Sequence, residues 1–415
     1  MTLKRVVVTG LGALTPIGND VAAMWQSMLA GVSGAGLITR FDTEKFRCKI
    51  ACEVKGFDPS QHFDRKEARK LDLFTQYGLV AAEEAIRDAG LEACNIDKSR
   101  VGVIWGSGNG GVETFQDEVA QYVKSGTPRF SPFFCTRMIS NICAGQISII
   151  HGYTGPNYCT VAACASSAVA ISDAFNLIRL GKASIIVAGG SEAAVVECSI
   201  GGFGSMQALS FRNDDPKTAS RPFDRDRDGF VLAEGAGALI IEDLDHALAR
   251  GATIYAEITG CGLSSDAFHI TASHPDGRGA YDAMKAAVEE SNMKLTDVDH
   301  INTHGTSTPI GDISEPKAIA CLFGDHAKNI SLNSTKSMTG HLLGAAGSVE
   351  AIATILSIKN NCIPPTINHF NDDPKIEPLD FTFNKARQRK VSFALCNAFG
   401  FGGHNVSLAF RKYDK

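Results

Sequence analysis

The chain has no apolar stretch of eighteen or more residues, no Cys-x-x-Cys pair, no long basic run and no low-complexity segment. Without the first, no membrane-spanning helix is expected. Without the second, the 12 cysteines do not read as a disulfide framework, which belongs to small secreted chains. They read as reduced thiols of a cytoplasmic protein. Without the third, nucleic acid is not an expected partner. The formal net charge is −5, from 40 Lys+Arg against 45 Asp+Glu, so an acidic partner could dock only on a local basic patch. The opening run to Gly10 breaks at glycine after a few apolar residues and does not read as a signal peptide.

What is there is a chain of 415 residues, 44% hydrophobic and 20% charged. It can bury a large core, as one big α/β unit or two fused halves. Its 41 glycines sit mostly at the ends of β-branched runs. Near-continuous apolar runs read as strands covered on both faces: 4–9, 101–105, 183–188 and 236–242, then 254–260, 300–303 and 329–333. Helical spacing falls between them, over 74–90, 165–180, 280–291 and 344–359. Alternation of this kind indicates an α/β architecture. Residues 391–398 and 405–410 read as a terminal antiparallel hairpin. Asn361–Pro378, with four prolines, reads as an extended surface loop. Both parts place a helix of small residues after a reactive-looking turn. This suggests two similar halves, 1–250 and 251–415.

Four segments carry chemistry-bearing residues. In Val161-Ala162-Ala163-Cys164-Ala165-Ser166-Ser167-Ala168, tiny residues surround a cysteine at a strand-to-helix turn. A helix starting there favours thiolate and offers N–H groups to an oxyanion. The pattern alone fits a buried structural cysteine equally well. His304 lies in a loop dense in Gly and hydroxyls, Asn302 to Asp312, and loops of this kind often carry function. Lys336 and His341 precede a small-residue helix. A lysine there opposes the helix dipole and needs an anionic partner, for which Glu350 is placed. Gly400-Phe401-Gly402-Gly403 suits a mobile loop whose aromatic caps a pocket, or a tight hairpin turn. Together these give a thiol, two histidines and a lysine in strand-end loops, the equipment of thioester chemistry.

In order and approximate spacing, these segments resemble the β-ketoacyl-acyl-carrier-protein synthases, in particular their synthase II branch. The likeness extends to Val7-Val8-Thr9-Gly10-Leu11-Gly12 and to Ser220–Asp224 through Arg227–Phe230. It implies a thiolase-type fold: two similar βαβαβαββ halves in five layers, α-β-α-β-α. It implies a homodimer whose Phe134 segment borders the partner's acyl pocket. By position, Cys164 is the nucleophile, His304 and His341 stabilise an enolate, Lys336 paired with Glu350 supports them, and Phe401 gates the pocket. Thr306 and Thr308 bind the phosphopantetheine arm, and Asn109 and Phe203 complete the substrate-binding set. Arg65, Lys66, Arg69, Lys70 and Arg129 are candidates for docking an acyl carrier protein. No metal or redox cofactor is required, although the family can hold a structural monovalent cation near Asn302, Glu350, Cys396 and Asn397.

The chain departs from the family at Ala165, Asn109 and His404, and Asn109 bears on acyl chain length. Three other readings compete with this one. Gly106-Ser107-Gly108-Asn109-Gly110-Gly111 matches a dinucleotide fingerprint but lacks the acidic residue expected about twenty positions on. A non-catalytic chain-length subunit would lack the cysteine. A degradative thiolase would carry a second catalytic cysteine, where Cys396 is instead followed by Asn397-Ala398-Phe399.

Overall fold

The computed structural model describes residues 3–414. Eleven strands form one continuous sheet: β1 (Val6–Leu14), β2 (Val101–Gly106), β3 (Asn157–Thr160), β4 (Ile185–Glu192), β5 (Gly235–Asp243), β6 (Ala256–Ser265), β7 (His300–Asn302), β8 (Ser331–Asn333), β9 (Asp380–Phe381), β10 (Phe393–Gly400) and β11 (His404–Arg411). Their spatial order is β9-β8-β7-β10-β11-β6-β1-β5-β4-β2-β3. With the two-residue edge strand β9 set aside, five strands remain in each half, and counted within each half both runs follow the order 3-2-4-5-1. In both, the first three positions are mutually parallel and the last two join antiparallel. The halves meet where Val6, Val7 and Val8 pair antiparallel with Ile258, Glu257 and Ala256.

The helices alternate with the strands in the same way. The first half carries α1 (Leu73–Asp88), α2 (Ile142–His151) and α3 (Ser166–Arg179), and the second α4 (Arg278–Glu290), α5 (Gly311–Phe323) and α6 (Ala346–Asn360). This is βαβαβαββ twice. The strand period of two sorts the side chains into layers. Ile185 and Val187 face one core with Phe74, Tyr77 and Ala81 of α1, while Ile186 and Ala188 face the opposite core with Ile171 and Ile178 of α3. In the second half Leu395 and Ala409 face Met284 of α4, while Cys396 and Leu408 turn to the same middle core as α3 and α6. Five layers result, with α3 and α6 packed together in the centre. Most of α6 is buried, which is why that helix shows no polar stripe.

Three sequence expectations need correction. Strands do not stop at their glycines. β1 runs through Gly10 and Gly12, and β4 through Gly189 and Gly190. The glycines instead let helices approach: a methyl on Gly12 would lie 1.9 Å from the Ala81 carbonyl oxygen of α1. The second half repeats this: a methyl on Gly262 of β6 would lie 1.9 Å from the Ala283 oxygen of α4. The Asn361–Pro378 segment is not all surface. Cys362 to Ile367 are buried, because Cys362–Ile363 pairs with Arg387–Gln388 and the Pro364 oxygen accepts from Asn333 Nδ2 at 2.8 Å. Helix α5 was not anticipated.

Buried polarity also sets a pH response. His300, in β7, has no exposed surface; its Nδ1–H donates to the Ser331 oxygen at 2.8 Å and Nε2 has no partner among the described residues. Burial lowers its pKa to about 4. The unfolded chain takes up this proton near pH 6.5, the folded chain only near 4, so stability is intact above 6.5 and falls with pH through that window. We expect His300→Asn to remove about 3 kcal/mol of this acid sensitivity. Urea unfolding of both proteins at pH 7 and at pH 4 to 5 measures it, and parallel pH curves would contradict it.

Candidate active site

Cys164 stands where the chain passes from β3 into α3. Ala163, just before it, has φ +48°, a left-handed conformation that non-glycine residues seldom hold and that marks constrained sites. The turn is fixed by hydrogen bonds from Ala165 N to the Ala162 oxygen (3.0 Å) and from the Ser166 hydroxyl to the Ala163 oxygen (2.6 Å). Small residues are needed for packing: a methyl on Gly106 would lie 2.5 Å from Ser166 and Ser167 backbone, and one on Gly347 2.9 Å from Ala168. A methyl on Gly400 would lie 2.5 Å from the Ala162 oxygen, so the hairpin loop lies directly against the Cys164 turn.

Burial pushes the Cys164 thiol up to about 12. Lys336, the Phe401 N–H and the Cys164 N–H pull it down, and Glu192 adds to the rise. The expected thiolate is therefore corrected: desolvation outweighs the helix end, and the resting sulfur carries its proton. The N–H groups of Phe401 and Cys164 nonetheless converge on the sulfur, the arrangement that holds a developing oxyanion.

His304 and His341 are held from different sides of the cavity. Glu315 of α5 accepts from the N–H groups of His304 (2.9 Å) and Gly305 (3.0 Å), and from Asn397 Nδ2 (3.0 Å). His341 bonds through its backbone to Val231 and Ala233. The rings are 5.5 Å apart, centroid to centroid, and nearly perpendicular. Burial first, then Lys336, holds both imidazoles well below their usual pKa, with His341 adding to the effect on His304. Both are neutral. Lys336 Nζ lies 3.4 Å from His304 Nδ1. An ammonium only donates, so Nδ1 accepts and the ring proton sits on Nε2.

Lys336 is itself buried and forms an ion pair with Glu350. Burial raises the Glu350 carboxyl to about 7, against the opposing pull of Lys336. Thr306 and Thr308 share a hydroxyl–hydroxyl contact at 3.0 Å. Their loop is clamped by Asp312, which accepts from Ser307 N–H at 3.1 Å, and by Arg227, which donates to the Thr308 oxygen (3.0 Å) and the Pro309 oxygen (2.9 Å).

Cys164, His304, His341, Thr306, Thr308, Phe203 and Phe401 all line one cavity of about 750 Å³. Lys336 and Glu350 stand behind the histidines. Asn109 lies outside the lining and is exposed, its N–H donating to Glu192 at 3.0 Å. Phe134 is on the surface, stacked on Phe130 with centroids 5.3 Å apart. Arg65, Lys66, Arg69 and Arg129 are exposed and Lys70 half-buried. Glu192, Arg227, Asp312 and Glu315 were not singled out from sequence. The glycine-rich 106–111 loop turns three of its donors onto Glu192, so its anion-binding face is already filled, which removes the dinucleotide reading.

Two family models match the chain: "Beta-ketoacyl synthase, N-terminal domain" over residues 3–247 and "Beta-ketoacyl synthase, C-terminal domain" over 255–370. Among curated relatives, a 3-oxoacyl-[acyl-carrier-protein] synthase 2 from Synechocystis sp. is 50% identical over 411 residues, 99% of each chain. One of the same name from Staphylococcus aureus is 49% identical, again over 99% of each. Among solved structures, a beta-ketoacyl synthase from Burkholderia phymatum superposes with a TM-score of 0.92 at 35% identity, over 99% of this chain and 100% of that one. A type II polyketide ketosynthase in complex with its acyl-carrier protein gives 0.89 at 33% identity, with the same coverage.

Proposed function

The chain belongs to the beta-ketoacyl synthase family, and from that premise we propose how its residues divide the labour of the condensation. The reaction joins an acyl-thioester primer to malonyl-acyl-carrier-protein and yields a β-ketoacyl-acyl-carrier-protein, the elongation step of fatty-acid biosynthesis. In our assignment Cys164 attacks the primer carbonyl, the N–H groups of Cys164 and Phe401 hold the oxyanion, and the thiol proton leaves with the departing phosphopantetheine thiol. Thr306 and Thr308 hold the arm of the incoming malonyl carrier. His304, through Nε2–H, and His341 donate to the malonyl thioester oxygen as CO2 departs. The resulting enolate attacks acyl-Cys164, expels the cysteine sulfur and forms the new carbon–carbon bond.

One observation carries this: a thiol and two neutral imidazoles line the same cavity. Neutral donors stabilise an enolate oxygen without trapping it as an ion pair, and one preorganised donor contributes about 3 kcal/mol. Loss of CO2 drives the bond formation, so the reading uses no metal or redox cofactor. His304→Ala or His341→Ala should each slow malonyl-carrier decarboxylation by about 10²–10³-fold. Normal CO2 release from both variants would overturn their shared role.

A structural monovalent cation fits beside Lys336. Asn302 Oδ1 and Glu350 Oε2 are buried acceptors with no partner among the described residues, whereas the Asn397 side chain is committed to Glu315 and Ser407. Such an ion would offset the excess negative charge of Glu315 and Glu350. We further assign a homodimer. Strand β3 leaves one edge of the sheet open, and Ile149, Ile150, Tyr158 and Val161 are exposed around it, a surface that needs covering. Phe134 would then meet the partner's pocket. The carrier protein would dock on Arg65, Lys66, Arg69, Lys70 and Arg129. Free thiols throughout suit the cytoplasm, and no helix of the described residues is long and apolar enough to cross a membrane.

A further inference from the structure

Strand β4 ends on Glu192, a fully buried carboxylate that the condensation does not use. Its oxygens accept four hydrogen bonds. Oε1 accepts from Asn109 N–H at 3.0 Å and the Ser107 hydroxyl at 3.2 Å; Oε2 accepts from Gly108 N–H at 2.8 Å and Gly344 N–H at 2.9 Å. Three donors belong to the 106–111 loop of the first half and the fourth to the segment after His341 in the second. All four are N–H or O–H, so the nest is built for an anion. The fit is close: a methyl on Gly344 would lie 2.3 Å from Gly108 N and 2.7 Å from Glu192 Oε2.

Gly344 follows Leu343, whose φ is +47°. A leucine keeps that conformation only where its surroundings impose it. Leu343 lines the cavity with Cys164, Phe203, Phe230 and Phe401. His341, two residues earlier, is secured separately: its N–H donates to the Val231 oxygen at 2.8 Å and its oxygen accepts from Ala233 N–H at 3.0 Å. The bond from Gly344 to Glu192 therefore restrains Leu343 rather than the imidazole.

We propose that Glu192 is a specificity-determining positioning residue: its carboxylate clasps the 106–111 loop to Gly344 and holds Leu343 as a wall of the acyl pocket, setting which acyl groups Cys164 accepts. This rests on the reading of Cys164 as the acyl-bearing residue. Glu192→Gln places an amide NH₂ against N–H donors, opens the clasp and lets the wall give way. The KM for the acyl carrier then becomes the affected constant. Preference for palmitoyl- over octanoyl-carrier should rise about tenfold, while kcat for malonyl-carrier decarboxylation stays within about twofold. Ser107→Ala removes one donor, leaves the carboxylate in place, and should shift preference the same way by about threefold. It carries the test if Glu192→Gln does not fold. Unchanged chain-length preference in the soluble variants would overturn the clasp, as would parallel loss of both half-reactions in step with melting temperature. If mass spectrometry finds no acyl group on wild-type Cys164 with either carrier, the condensation reading falls first and the clasp with it.

Discussion

Cys164→Ala is expected to lower condensation by at least about 10⁴-fold while the protein stays folded. The sulfur borders the cavity and makes no hydrogen bond that fixes the turn; those belong to Ala162, Ala163, Ala165 and Ser166. Removing it deletes the one atom that can hold the acyl group between the two half-reactions. The His304–His341 pair is untouched, so malonyl carrier should still lose CO2 in the variant. Intact-protein mass spectrometry after incubation with acyl carrier should show an adduct on the wild type and none on the variant. Condensation at the wild-type rate would reject the nucleophile.

The second large effect is on stability. Glu350→Ala should destabilise the protein by about 3–5 kcal/mol, because Lys336 has 1% exposure and loses its ion-pair partner. Glu315 lies nearby but is engaged by two backbone N–H groups and Asn397. Lys336 would shed its charge or draw water inward, and His304 Nδ1 would lose a fixed donor. Adding Lys336→Met should recover most of the stability, since the buried charge goes with its partner, but not the activity. Urea unfolding of the wild type, the single variant and the double variant checks this. A single variant as stable as wild type would mean that the pair is not what holds this part of the core.

That Cys164, His304 and His341 share one cavity was legible because their segments combine a reactive side chain with glycine and hydroxyl residues at strand ends. The layer order was legible through resemblance, not through pattern. The direct sign of repetition is Thr9-Gly10-Leu11-Gly12 against Thr259-Gly260-Cys261-Gly262, each facing alanines spaced by four on a helix. It is hard to read from sequence because glycines commonly mark strand ends, whereas here they lie inside the strands. For the same reason the sequence expectation for β4 stops at 188, before Glu192. Glu315 stayed hidden because Gly311 and Pro316 bracket it, and both count against a helix; Pro316 nonetheless sits inside α5. The raised thiol pKa could not be read at all, since desolvation depends on what packs around the sulfur. The strain at Ala163 and Leu343 was equally out of reach, because alanine and leucine carry no sign of a left-handed backbone.

The three-residue seam between β1 and β6 has a mechanical consequence. A continuous sheet joins the halves, and two helices fill the space between them, so neither half can swing away from the other as hinged lobes do. Cys164 comes from one half and the His304 and His341 imidazoles from the other, so their spacing is as rigid as the sheet itself. Entry and exit of substrates must then be handled at the rim, where Gly402 and Gly403 have φ +90° and +77° and two backbone hydrogen bonds, Gly402 N–H to the Ile270 oxygen at 2.7 Å and Asp266 N–H to the Gly403 oxygen at 2.9 Å, link the Phe401 turn to its neighbour.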